Sequence, residues 1–234
     1  MAYKLFKEPQ ANWRAYVAEG IGTFVFVFVS LLAVLVNIFY GELGVVGVAI
    51  ATGFVYTAMV FGTVHLSGGH LNPAITLALW LTRKINGVSA VIYILAQVTG
   101  GLLAALLLFL IFGQEGLKFS LGAQVTGGGV SMQLAVIVEA VLTAILVFGY
   151  FATLVDRRGP VSFGPLVVGF TVLCSFLVAS PISGGVLNPA KVIGASLISG
   201  SYGALVVWII GPLTGSLMGF VYDFVFVKKS SRSR

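Results

Sequence analysis

The chain has 234 residues, of which 59% are hydrophobic and 9% charged, and its mean hydropathy is +1.08. Those proportions exclude a soluble globular domain. The net charge of +6 does not indicate a nucleic-acid partner, because the basic residues fall in short segments between apolar runs. The lone Cys174 sits inside one such run and forms no intrachain disulfide.

A membrane-crossing helix needs about 20 apolar residues, and six runs approach that length. Glu8, Pro9, Gln10, Asn12 and Arg14 break the apolar pattern at the N-terminus, so no cleaved signal peptide is expected and the first helix directs insertion. That helix is predicted at 13–38 and carries Glu19 and Thr23 near its start. The second, at 43–64, leads into Ser67-Gly68-Gly69-His70-Leu71-Asn72-Pro73-Ala74. Asn is a strong N-cap and Pro suits the first helical position, so a short helix over 73–82 should follow. The third span, 88–112, contains Gln97 and Thr99-Gly100. The fourth, 131–155, contains Glu139 and Thr143, and the fifth, 161–180, contains Cys174 and Phe176. Next comes Ser183-Gly184-Gly185-Val186-Leu187-Asn188-Pro189-Ala190 and a second short helix over 189–199. The sixth span, 203–227, includes Thr214-Gly215 and the small-xxx-small spacing of Gly215 to Gly219.

The two octapeptides lie 188 − 72 = 116 residues apart, and the likeness extends to their surroundings. Glu139 follows Glu19 by 120 residues, and Thr214-Gly215 follows Thr99-Gly100 by 115. The chain therefore divides into two repeats, 1–120 and 121–234, each reading helix, helix, re-entrant turn, helix. An odd number of crossings per repeat inverts the second relative to the first. The short helices cannot span a bilayer, and the irregular backbone before them is tolerable at depth only against a wet cavity or protein. Two such helices entering from opposite faces would meet N-terminus to N-terminus and aim their positive dipole ends at one place. The fold expected is thus an all-α membrane protein with six transmembrane helices, two re-entrant half-helices and an inverted three-helix repeat. With alternating spans, Lys4, Lys7, Arg14, Arg83, Lys84, Arg157, Arg158, Lys228, Lys229, Arg232 and Arg234 share one side, leaving Lys118 and Lys191 on the other. By the positive-inside rule both termini are cytoplasmic. The basic tail could also touch anionic headgroups.

The paired Asn-Pro-Ala boxes and their matched flanks resemble the aquaporins of the major intrinsic protein family, across essentially the whole chain. The resemblance implies a homotetramer with a pore in each subunit. It implies a passive channel that carries water, or another small neutral solute, and rejects ions and protons. No cofactor, metal or nucleic-acid partner is implied; the lipid bilayer is the surrounding medium, and the plasma membrane is the expected location. Asn72 and Asn188, with Pro73, Ala74, Pro189 and Ala190, match the boxes whose amides donate to a passing water. Glu19 and Glu139 match buried carboxylates that hold the loop backbones with their carbonyls toward the pore. His70 is expected to brace the first loop, and His65 to line the cytoplasmic vestibule. Gln97 is expected to join helices rather than line the pore.

The chain departs from the family at the outer constriction. Counting from the asparagines, its four positions are Thr52, Phe176, Gly185 and Lys191. Water-specific relatives typically place an aromatic, then His, and Arg at the last position. Lys191 replaces a rigid donor fork by a flexible ammonium. Thr52 and Gly185 remove bulk, which leaves Phe176 to set the width. Val192 after Lys191, and the short stretch to helix six, favour the water branch over the glycerol branch, while ammonia, hydrogen peroxide and small polyols stay open. Because Gly185 stands where mercury-sensitive relatives often carry Cys, weak mercury inhibition is expected. An enzyme is disfavoured, since no Ser-His-Asp set, metal cluster or phosphate loop occurs. Few intramembrane carboxylates are available for ion-coupled transport, and short loops leave little surface for a junctional scaffold.

Overall fold

The computed structural model describes residues 13–123 and 126–227. Lys4, Lys7, Lys228, Lys229, Arg232 and Arg234, with the serines at 230, 231 and 233, lie outside the described residues. Within them the chain is helical, in the order α1 (Trp13–Tyr40), α2 (Gly44–Ser67), α3 (Pro73–Leu81), α4 (Gly87–Lys118), α5 (Met132–Tyr150), α6 (Gly164–Ala179), α7 (Pro189–Ser199), α8 (Leu205–Gly215) and α9 (Met218–Val225). A π turn, Phe151–Val155, extends α5, and a 3₁₀ turn, Val161–Phe163, precedes α6. Six of the resulting segments are long and apolar enough to cross a membrane, with α8 and α9 together forming the last.

The helix starts follow from local chemistry. Asn86 Oδ1 accepts from Ser89 N at 2.9 Å to cap α4, and Ser131 Oγ accepts from Leu134 N at 3.2 Å to cap α5. Asn72 and Asn188 cap α3 and α7 in the same way, each with Pro next in sequence. Two spans differ from the expectation. The third runs on to Lys118 across a break at Gly113, whose φ of 56° a glycine takes at little cost. The sixth is not continuous: Pro212 removes one amide donor, and Leu217 and Gly219 then bond only three residues back, so α8 ends and α9 begins.

Packing repeats in the two halves. α1 lies against α2 and α4, as α5 lies against α6 and α8, while α2 meets α6 and α4 meets α7 across the middle. Small residues allow the backbones to touch. A Cβ at Gly100 would run into Gly20 O and Phe24 N of α1, and one at Gly215 into Ala140 O and Ala144 N of α5. At the centre, Gly101 faces the Ala190 carbonyl of α7, while Gly194 faces the Gly101 carbonyl of α4. Large apolar side chains such as Leu95, Leu110 and Phe224 cover the outside, leaving Glu19 and Glu139 fully buried.

One end of the bundle is fastened by charge. The Arg158 guanidinium donates to both Asp156 oxygens and to Phe226 O, Tyr222 Oη donates to Asp156, and Lys84 pairs with Asp223 at 2.7 Å. The hydrogen bonds from Arg158 hold the Asp156 carboxyl down at about 2, so Asp156 is charged at any physiological pH. This clasp gathers Lys84 and Arg158 at the α9 end. Lys191, by contrast, is buried in the interior at 1% exposure.

The close approach of α4 to α7 gives a direct test. Gly101→Val must push α7 off the Ala190 carbonyl, at a cost of about 1–3 kcal/mol or more. The variant should melt clearly below wild type in detergent; unchanged melting would refute this contact.

Candidate functional site

Each octapeptide loop turns through three left-handed residues: Gly68, Gly69 and Leu71 at φ 96°, 64° and 50°, and Gly184, Gly185 and Leu187 at 95°, 60° and 56°. Glycine takes such angles freely, but leucine does so only when held there. A buried carboxylate holds each one. Glu19 accepts from Ser67 Oγ (2.6 Å), His70 N (2.9 Å), Leu71 N (2.7 Å) and Gln97 Nε2 (2.8 Å). Glu139 accepts from Ser183 Oγ (2.7 Å), Val186 N (3.0 Å) and Leu187 N (2.8 Å).

The leucines so held turn their carbonyls toward the other loop. Asn72 Nδ2 donates to Leu187 O at 2.9 Å, and Asn188 Nδ2 donates to Leu71 O at 2.8 Å. Each Asn Oδ1 meanwhile caps its own half-helix, from Ala74 N (2.8 Å) and Ala190 N (3.0 Å). The two half-helix starts, with Pro73 and Pro189 at their first positions, are therefore stitched together reciprocally. Since a side-chain amide has two N–H donors, one on each Asn remains beyond this cross-link.

Further donors fix the loop entrances, and the sequence reading missed them. Tyr93 Oη donates to Ser67 O (3.0 Å) and Trp208 Nε1 to Ser183 O (2.7 Å), an equivalence at 208 − 93 = 115 residues that matches the Thr-Gly offset. Tyr150 Oη donates to Gly68 O (2.7 Å) and Tyr56 Oη to His70 O (3.0 Å). By contrast, no hydrogen bond from the described residues reaches the carbonyls of Gly184, Gly185 or Val186. In the first loop the carbonyls of Gly68 and His70 are engaged by these two hydroxyls.

His70 is fully buried, and its Nδ1 lies 3.1 Å from Thr76 Oγ1, which also receives Gln97 Nε2 at 2.9 Å. The chain Glu19–Gln97–Thr76–His70 thus ties the first loop to α1, α3 and α4. Its counterparts in the second half are Val186, Val192 and Pro212, of which the two valines pack with Trp208 in an apolar cluster. His65 takes no part in these hydrogen bonds among the described residues. It stands on the exposed stripe of α2 with Phe54 and Phe61, opposite the buried stripe of Thr52, Tyr56, Val60 and Thr63.

Three of the four constriction residues come together. Lys191 Nζ lies 5.4 Å from the centre of the Phe176 ring, a cation–π distance, and has Glu139 as its opposite charge. Gly185 presses on α6, where a Cβ would meet Ser175 O at 2.8 Å and Phe176 Cα at 2.9 Å. Its glycine is therefore required by loop packing. Phe176 packs with Ala33, Val48 and Ala49, so it is partly a wall residue of α1 and α2. Thr52 is on α2, with its hydroxyl 3.3 Å from Ser30 Oγ on α1.

The carboxylate clamps are testable by isosteric change. In Glu139→Gln or Glu19→Gln one acceptor becomes an NH₂ group facing a donor, which costs about 1–3 kcal/mol per buried clash. Both variants should melt below wild type in detergent; melting together with wild type would show that the clamps do not hold the loops.

Comparison with known proteins agrees with this geometry. The profile described as Major intrinsic protein matches residues 6–222. Aquaporin TIP4-4 of Zea mays is 39% identical over 226 residues, covering 92% of this chain and 87% of that protein. Aquaporin Z of Photorhabdus laumondii is 34% identical over 229 residues, covering 92% and 99%. Among solved structures, the aquaglyceroporin from Plasmodium falciparum superposes with a TM-score of 0.80 at 21% identity, over 93% of this chain and 98% of that one, a likeness of fold. With six apolar spans and a family profile over nearly its full length, the chain belongs to the major intrinsic protein family of membrane channels and is not an enzyme.

Proposed function

We propose that this protein conducts water passively down its osmotic gradient and excludes ions and protons. The reciprocal Asn72–Leu187 and Asn188–Leu71 hydrogen bonds carry the reading. They put two oriented amide donors at the shared start of α3 and α7, where the positive ends of both helices converge. A water there accepts from both amides and turns its hydrogens outward, which interrupts a proton relay; this is the aquaporin-type selectivity that general principles describe. A bare cation meets the same dipoles and the buried Lys191 ammonium, and loses hydration that few contacts replace.

The repeats, 1–120 and 121–234, are read as inverted halves around one path, with both termini cytoplasmic. The homotetramer and the plasma membrane are carried by the family resemblance. Thr52, Phe176, Gly185 and Lys191 are assigned to the outer constriction, Glu19, Glu139 and His70 to loop support. The small Thr52 favours a second reading, a facilitator for glycerol, ammonia or hydrogen peroxide, and one experiment separates the two.

Purified protein in liposomes should shrink rapidly under a sucrose gradient in stopped flow and should not re-swell under a glycerol gradient. Fast re-swelling would replace the water-selective reading by the facilitator; shrinkage no faster than in empty liposomes would defeat both. Cys174 is exposed on α6, away from Phe176, so mercury labelling of it should leave water flux intact. A block relieved by Cys174→Ser would contradict that placement.

A further inference from the structure

We infer that Tyr56, braced by Phe26, sets the width limit of the proposed path beside the paired asparagines, inward of the Lys191 constriction. The inference rests on the channel reading above. It comes from comparing walls that the repeat makes equivalent. Phe26 and Leu146 each stand seven residues after a clamp carboxylate (19 + 7 and 139 + 7), and Tyr56 and Val172 each stand sixteen before an asparagine (72 − 16 and 188 − 16). All four are buried. In the second half the pair is aliphatic, and the Val186 carbonyl has no donor among the described residues. In the first half it is a Phe–Tyr pair whose Tyr takes up the equivalent carbonyl, that of His70.

Tyr56 is fixed on three sides. Its ring meets Phe26 edge to face, with centroids 4.8 Å apart and planes at 74°. Its hydroxyl donates to His70 O at 3.0 Å, two residues before Asn72 and one before the carbonyl that Asn188 engages. Its backbone lies one turn, roughly 5 Å, from Thr52 on the same buried stripe of α2. A tyrosine has two side-chain torsions, and the edge-to-face contact of the ring with the engaged hydroxyl restricts both. The ring cannot swing aside for a larger solute without breaking its bond to the loop that carries Asn72. The small side chain at Thr52 therefore widens the approach but not this level. Size exclusion belongs to the aromatic pair, and the outer residues govern charge.

The test uses full-length protein in liposomes, with water and glycerol permeability read by stopped flow. Wild type should conduct water and exclude glycerol. Tyr56→Val, which installs the residue of the other half, should raise glycerol permeability about tenfold or more, equivalent to lowering that barrier by about 1.4 kcal/mol. Tyr56→Phe, which keeps the ring but frees it from His70 O, should raise glycerol permeability less than Tyr56→Val does. Phe26→Leu should raise glycerol permeability in the same direction and carries the test if Tyr56→Val does not fold. Glycerol exclusion in water-conducting Tyr56→Val, or in Phe26→Leu should that variant alone fold, overturns the inference and leaves the channel reading standing. Glycerol flux through wild type equal to that through Tyr56→Val overturns it as well. A wild type that passes no water above empty liposomes ends both.

Discussion

The structure depends on two leucines held in a conformation that leucine avoids. A left-handed leucine costs roughly 1–2 kcal/mol, and a carboxylate taken from water into a helical bundle costs far more unless its lone pairs are filled. Leu71 with Glu19, and Leu187 with Glu139, answer each other's difficulty. The carboxylate receives the amides that the left-handed turn points inward, and the turn receives an acceptor that no helix or sheet ladder offers it. The turn then faces its carbonyl across to the opposite asparagine. Loss of either carboxylate would leave backbone donors unmet where water is scarce, and the two loop ends would part.

This arrangement had to be made twice, and the repeat supplies it. The clamp, the serine at the loop entrance, the left-handed leucine and the capping asparagine recur with matching partners, as do the entrance donors Tyr93 and Trp208. Away from the centre the halves diverge. The first surrounds its loop with His70, Thr76 and Gln97, joined by hydrogen bonds; the second uses Val186, Val192 and Pro212, which give Glu139 one donor fewer and leave Lys191 as its compensating charge. Divergence is permitted there because the stitching of the loops does not pass through those residues. On the proposed reading, selectivity is set where the repeat is broken.

Much of this was legible in the sequence because single residues carried unambiguous physical demands. Asn followed by Pro states a helix start, and α3 and α7 begin where those pairs predict. Glu19 and Glu139 stood out because a charge inside an apolar run needs a partner. The rest depends on which surfaces meet, and one strand of letters does not report that. Nothing local marks Tyr56, Tyr93 and Tyr150 as loop donors rather than ordinary wall aromatics; only the 115-residue match of Tyr93 with Trp208 hinted at it. The packing of Gly185 on α6 was not legible, because the loop motif does not report which surface it meets, although Ser175 and Phe176 stand only 185 − 175 = 10 and 185 − 176 = 9 residues before it. Pro212 was visible, but the break it leads to depends on how Ser216 to Gly219 tighten afterwards.

The cross-link also bears on why an amide, rather than a hydroxyl, serves at the centre. A serine could cap a half-helix, but it has one hydrogen and would have to choose between the opposite loop and anything passing. Asparagine separates the tasks: Oδ1 caps, one N–H stitches and the second lies outside that cross-link, with the Tyr56 hydroxyl as a neighbour on Asn72. Because the amide is planar, fixing the cap and the stitch also fixes the direction of that last hydrogen. On the proposed reading, the donors that orient water are thus aligned by the same bonds that hold the fold together. They need no reorganisation when a water arrives, so orientation at the centre stays the same from one water to the next.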